Sequence, residues 1–128
     1  MKTTLYALRT LLILMIIFLW KTSLKAQPVI GYQTITAGLN NPVDVVTAPG
    51  DSRLFIVQQN GIIRIWNGTS LIDFMNIGSV LTNPAGNEQG LLSIAFHPLY
   101  NTNRYFFVWY TNTAGDVTLA RYQRNISN

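Results

Sequence analysis

The feature that most constrains this chain is an internal echo. Val45-Val46-Thr47-Ala48-Pro49, followed by Arg53-Leu54-Phe55-Ile56-Val57, returns about fifty residues later as Ile94-Ala95-Phe96-His97-Pro98, followed by Arg104-Tyr105-Phe106-Phe107-Val108. Each copy reads as an apolar strand, a proline-marked corner and a second apolar strand. A repeat of this period made of strands alone points to propeller blades, each about 40–50 residues long. A blade has four strands, and the second copy shows three. The expected fold is all-β: a partial propeller holding the first blade and most of the second, the front of a longer protein.

Residues 1–26 stand apart from that pattern. Lys2 and Arg9 give a positive start, residues 10–20 are uncharged and mostly apolar, and residues 21–26 form a more polar tail ending in Ala26. This is the three-part layout of a secretory signal peptide, with cleavage expected near Ala26. The rival reading is a membrane anchor, but a spanning helix needs roughly 20 apolar residues, and the run between Arg9 and Lys21 is too short. No stable membrane span is expected after cleavage, and the protein is expected to be secreted or periplasmic. Residues 27–128 are expected to be the truncated propeller portion.

Setting the leader aside changes the electrostatics. Lys2, Arg9, Lys21 and Lys25 account for the whole net charge of +4. The remainder balances Arg53, Arg64, Arg104, Arg121 and Arg124 against Asp44, Asp51, Asp73, Glu88 and Asp116. The computed pI of 9.7 therefore belongs to the leader, and no basic face for nucleic acid follows from it. There is no cysteine, so an exported domain of this kind must be held by its core alone. Asn67-Gly68-Thr69 and Asn125-Ile126-Ser127 match the N-glycosylation pattern, which matters only in a eukaryotic host.

From Val29 onward, short runs rich in Val, Ile, Phe, Tyr and Trp alternate with Gly, Pro, Asn and Asp, which is strand and turn chemistry. Strands are expected near residues 43–48, 53–59, 62–67 and 71–77, and again near 91–97, 104–110 and 117–124. Asn60-Gly61 predicts a two-residue hairpin turn with positive φ at both central positions. Residues 32–37 are a candidate leading strand of the kind that completes a last blade. If each first strand runs downward, Pro49 and Pro98 mark bottom corners. Residues 58–61, 86–89 and 112–116 then share the top, and the link 78–89 delivers the chain to the innermost strand.

No set of residues here suffices for catalysis. His97 has two readings: a general base, or a strand-end side chain hydrogen-bonded at a bottom corner beside Pro98. The second is favoured, because a proton acceptor belongs near the substrate. Glu88, the sole glutamate, precedes an inner strand on the top face. There it could accept hydrogen bonds from a polar ligand or help hold Ca²⁺; the alternative is an exposed loop carboxylate. The four aspartates show no metal-loop spacing. Phe106, Phe107, Trp109 and Tyr110 alternate within one strand, so blade-to-blade packing is favoured over a sugar-stacking platform; Trp66 reads the same way.

Gly90-Leu91-Leu92 followed by Ala95-Phe96-His97-Pro98 resembles the soluble pyrroloquinoline-quinone (PQQ)-dependent aldose sugar dehydrogenases of the glucose/sorbosone dehydrogenase family. Gly38-Leu39-Asn40-Asn41-Pro42, the hairpin 54–66 and the aromatic strand 105–110 are similar to the same family. The resemblance implies a six-bladed propeller with PQQ on its top face, calcium in support, and oxidation of aldoses by hydride transfer to the cofactor, with an external electron acceptor. In such proteins the cofactor supplies the difficult chemistry. In the glucose dehydrogenase branch of the family a glutamine two residues before G-L-L contacts the quinone; that position here is Glu88, the one cofactor-binding residue carried over, and the aldose sugar dehydrogenase branch resembles this chain better there. A carboxylate there accepts hydrogen bonds but repels the cofactor's carboxylates unless a donor or cation intervenes. His97 matches the motif histidine, which does not abstract the substrate proton, so no catalytic residue and no metal ligand is transferred. The expected function is the amino-terminal part of a secreted quinoprotein, inactive by itself. The rival is a non-catalytic secreted propeller that binds a protein or glycan, as in hedgehog-interacting-type ectodomains.

Overall fold

The computed structural model describes Tyr6 and residues 9–15, 27–81 and 88–125. The chain divides into two units, Met1–Gln33 and Thr34–Asn128. In the first, residues 9–15 are helical and 27–33 have no regular secondary structure. Among the described residues, no helix is long and apolar enough to cross a membrane. Most of the expected signal peptide, including the site near Ala26, lies outside the described residues, as do residues 126–128 and the Ile126-Ser127 end of the second glycosylation triplet.

The second unit holds two antiparallel sheets. The first runs β1 (Pro42–Val46), β2 (Leu54–Gln58), β3 (Ile62–Trp66), β4 (Leu71–Asn76), each strand paired to the next. The second runs β5 (Leu91–Phe96), β6 (Tyr105–Thr111), β7 (Val117–Gln123) in the same manner. The repeat read from the sequence is therefore physical: the corner between β1 and β2 recurs between β5 and β6. The two sheets are successive blades of a propeller, four-stranded and three-stranded.

The repeat extends to its irregularities. The β1–β2 register slips between Pro42 and Asp44, and the β5–β6 register slips between Leu91 and Ser93, the equivalent place in the second copy. A bulge adds twist and bends its strand, here at the entry of each inner strand. Asp44 and Ser93 occupy matching positions and meet directly, Ser93 Oγ donating to Asp44 Oδ2 at 2.7 Å.

Strand alternation puts the packed faces together. Phe55, Val57, Ile63 and Ile65 of the first sheet are buried against Leu91, Ile94, Phe106 and Val108 of the second. An aromatic chain seals the lower half: Phe55 to Phe74 at 5.1 Å, Phe55 to Phe96 at 4.6 Å and Phe96 to Tyr100 at 4.7 Å between ring centroids. Edge-to-face pairs of this kind contribute about 0.5–1.5 kcal/mol each beyond the area they bury. Phe106 and Tyr110 belong to this core, whereas Phe107 and Trp109 lie on the other face of the second sheet with Ser93, Ala95 and Leu119.

Three sequence expectations need correction. Residues 32–37 form no strand; a strand needs a neighbour to take its N–H and C=O groups, and none of the strands described here pairs with that segment. The Asn60-Gly61 turn is a three-residue loop: the Gly61 N–H bonds the Gln58 carbonyl at 3.0 Å, and only Gly61 has positive φ, at 97°. That is a turn closed by a left-handed glycine rather than the two-residue type. Finally, the second corner contains a one-turn helix, Tyr100–Asn103, ended by Arg104 at φ 60°.

Candidate functional site at the top of the inner strands

The top face is assembled from loops that interlock through glycines. Gly61 has a Cβ direction filled by the backbone of Gly78 and the side chain of Leu81, so the hairpin tip and the link touch without room for a side chain. The Ile77 N–H bonds the Gly61 carbonyl at 2.9 Å, and Leu81 bridges to Asn112 in the β6–β7 loop. Three loops distant in sequence are thus joined, as the two-face sorting predicts.

The entry to β5 is fixed more tightly still. Gly90 has φ 108°, and a Cβ there would run into the Gln59 carbonyl oxygen. That carbonyl accepts the Leu91 N–H at 2.9 Å, while the Gln59 side chain donates from Nε2 to the Gln89 carbonyl at 2.9 Å. From the other side, the Gly90 carbonyl accepts the Thr111 N–H at 2.9 Å. Gln58, only 2 % exposed, accepts the Asn40 N–H at 2.5 Å and ties the approach to β1 into the same layer.

Glu88 sits at the end of this clamp, in a turn and exposed. Among the described residues, no ion pair involves it. Its carboxylate lies two residues before Gly90, the glycine that brings the β2–β3 loop and β5 into close approach. It offers only acceptors, so it suits a donor or a cation, not a bare carboxylate. No group of three or more His, Cys, Asp or Glu among the described residues could hold a metal ion.

The other acids are spread over the fold. Asp51 pairs with Arg53 at the first bottom corner, at 2.5 Å, and the hydrogen bond from Arg53 holds the Asp51 carboxyl below the usual carboxylate range despite partial burial. Asp73 meets Arg64 at 3.1 Å across β3 and β4. Asp44 is taken by Ser93, and Asp116 is exposed in the β6–β7 loop.

His97 lies at the opposite end of the blade. Its Nδ1 accepts the Leu99 N–H at 3.0 Å and lies 2.8 Å from Asn103 Nδ2, while its backbone N–H bonds the Tyr105 carbonyl at 3.1 Å. A ring whose Nδ1 accepts carries its proton on Nε2 when neutral. His97 organises the second corner and the helix that follows it. Glu88 lies in an exposed turn before β5, as its sequence position suggests; the contacts of Gln59 and Gly90 next to it were not foreseen. The only sequence signal for them is the Gly-Leu-Leu motif beginning at Gly90, together with a glutamine beside the Asn60-Gly61 turn.

Two adjacent sheets with matching bulges on their inner strands, joined through glycine contacts at the top, define a propeller-type chain. The family model described as Glucose / Sorbosone dehydrogenase matches residues 39–126, and the chain belongs to that family. A solved structure, the PQQ-bound form of aldose sugar dehydrogenase from Streptomyces coelicolor, superposes with a TM-score of 0.61 at 25% identity, over 75% of this chain and 28% of that one. The Hedgehog-interacting proteins of Mus musculus and Homo sapiens are each 34% identical over 85 residues, covering 62% of this chain. The chain spans 12% of the length of each of these curated relatives.

Proposed function

We propose that this chain is the amino-terminal part of an exported PQQ-dependent dehydrogenase that oxidises aldose sugars and passes electrons to an external acceptor. The observation that carries the reading is the top-face geometry, in which Gln59 and Gly90 fix the entry to β5 directly after the exposed Glu88. It is supported by the match in fold to a PQQ-bound aldose sugar dehydrogenase. In this reading Glu88 lines one edge of the quinone, through a donor or a bridging cation. Bound PQQ would supply the hydride-accepting chemistry, and this chain's residues would orient it and close one wall of its site. Calcium belongs to the proposal, with most of its ligands and the catalytic base on other blades. Residues 1–26 act as the export signal, and the 128-residue chain alone is inactive.

The test is aldose-dependent dye reduction by the complete gene product supplied with PQQ and Ca²⁺. The proposal predicts turnover with several aldoses and none without quinone. Absence of turnover after reconstitution would overturn it. A second reading, a non-catalytic propeller that binds a protein or glycan, is favoured by the 34% identity to Hedgehog-interacting proteins and predicts no quinone binding at all.

A further inference from the structure

We infer that Gln59 is a positioning residue for Glu88: a side chain of the first blade that holds the second blade's ligand-facing carboxylate in place. The inference rests on the proposed contact between Glu88 and the quinone. Gln59 lies in the hairpin loop between β2 and β3, where three segments converge on it. Its N–H donates to the Asn41 carbonyl at 3.0 Å, its carbonyl accepts the Leu91 N–H, and its Nε2 donates to the Gln89 carbonyl, the last two both at 2.9 Å. The latter two bonds straddle Gly90, whose positive φ and missing Cβ allow the approach.

Residues 89–91 are thus held by three hydrogen bonds, one from Thr111 and two from Gln59. Glu88 is the next residue back, exposed, with nothing else described to restrain it. A group fixed before binding loses less conformational freedom when the ligand arrives. Gln59 supplies that fixation without itself touching the ligand. Its amide suits the task because the Gln89 carbonyl needs a donor; a glutamate at position 59 would face that carbonyl with a second acceptor.

A double-mutant cycle on the complete gene product tests this, with PQQ as the probe and quenching of intrinsic fluorescence at fixed Ca²⁺ as the readout. Glu88→Ala is expected to weaken PQQ binding at least about threefold, and Gln59→Ala to weaken it by a similar factor, the worth of one lost hydrogen bond. In the Glu88→Ala background, Gln59→Ala is expected to add less than about twofold, because the residue it positions is gone. Should the alanine variant fold poorly, Gln59→Asn, one methylene too short for the Nε2 bond to the Gln89 carbonyl, is expected to show the same roughly threefold loss. Amide exchange without quinone should rise at residues 88–90 in either variant and stay unchanged at Ile63 in β3. Fully additive effects, or unchanged exchange at 88–90, would overturn the positioning role. An unaltered affinity in Glu88→Ala would instead overturn the Glu88 contact, and the inference with it.

Discussion

Gly90→Ala offers a quantitative test of the way the two blades are joined. At φ 108° an L-residue is strained, and such conformations cost about 1–3 kcal/mol. The new methyl also meets the Gln59 carbonyl oxygen, a backbone atom that cannot rotate away. Relief requires moving the β2–β3 loop from β5, which breaks the Gln59 carbonyl to Leu91 N–H bond. Leu91 is fully buried, and a buried amide left without a partner costs about 1–3 kcal/mol. The sum is about 2–6 kcal/mol, a large share of the roughly 5–15 kcal/mol that holds a domain together. Gly68→Ala is the control: its φ is 97°, but nothing lies within 4 Å of the added carbon, so only the conformational part, about 1–3 kcal/mol, applies. Urea unfolding of the complete gene product reads both as shifts in midpoint at constant slope. Equal losses for the two variants would refute the argument that the Gly90 site is a contact between blades.

Other substitutions separate the two ends of the molecule. His97→Ala, which removes the acceptor for the Leu99 N–H, should cost about 1–2 kcal/mol in urea unfolding and leave PQQ affinity unchanged. Ser93→Ala should cost about 1 kcal/mol by breaking the bond between inner strands, again read from unfolding. Arg53 depresses the Asp51 pKa, so the pair stabilises above the ordinary carboxyl value of 3.8 and the contribution fades as pH falls through the lowered folded value. Because Arg53 is 39% exposed, the effect should not exceed about 1 kcal/mol, and Asp51→Asn should abolish it in a pH series of unfolding midpoints. Residues 27–128 expressed alone leave Trp109, Val117 and Leu119 exposed on the second sheet and Val43 and Val45 on the first. They should be oligomeric or insoluble by size-exclusion chromatography; a sharply melting monomer would contradict this.

The sequence shows the strands well because each blade face is half buried, and period-two alternation of β-branched and aromatic residues records that directly. All seven strands were expected, and their ends fall within about two residues of the structure, the usual scatter at element boundaries. The helix Tyr100–Asn103 was missed because Tyr-Asn-Thr-Asn has weak helix propensity; tertiary contacts hold it, with Tyr100 packed on Phe96 and the His97 ring bonded at its start. Residues 32–37 form no strand here, because a strand that completes a last blade depends on a partner from that blade. The Asn60-Gly61 signal placed a hairpin correctly but misjudged its type, because the loop length follows from packing Gly61 on Gly78. The exposed turn at Glu88 was legible from its place before the Gly-Leu-Leu motif. Its clamp was not, since a hydrogen bond between residues 59 and 89 leaves no local pattern.

The most direct measurement of the account is a crystal structure of the complete gene product grown with PQQ and Ca²⁺. The account predicts β1–β4 and β5–β7 as adjacent blades of one ring, with the quinone at the channel mouth against the Glu88 edge and His97 remote from it. A closed barrel or sandwich, or quinone density at the His97 end of the blades, would contradict it.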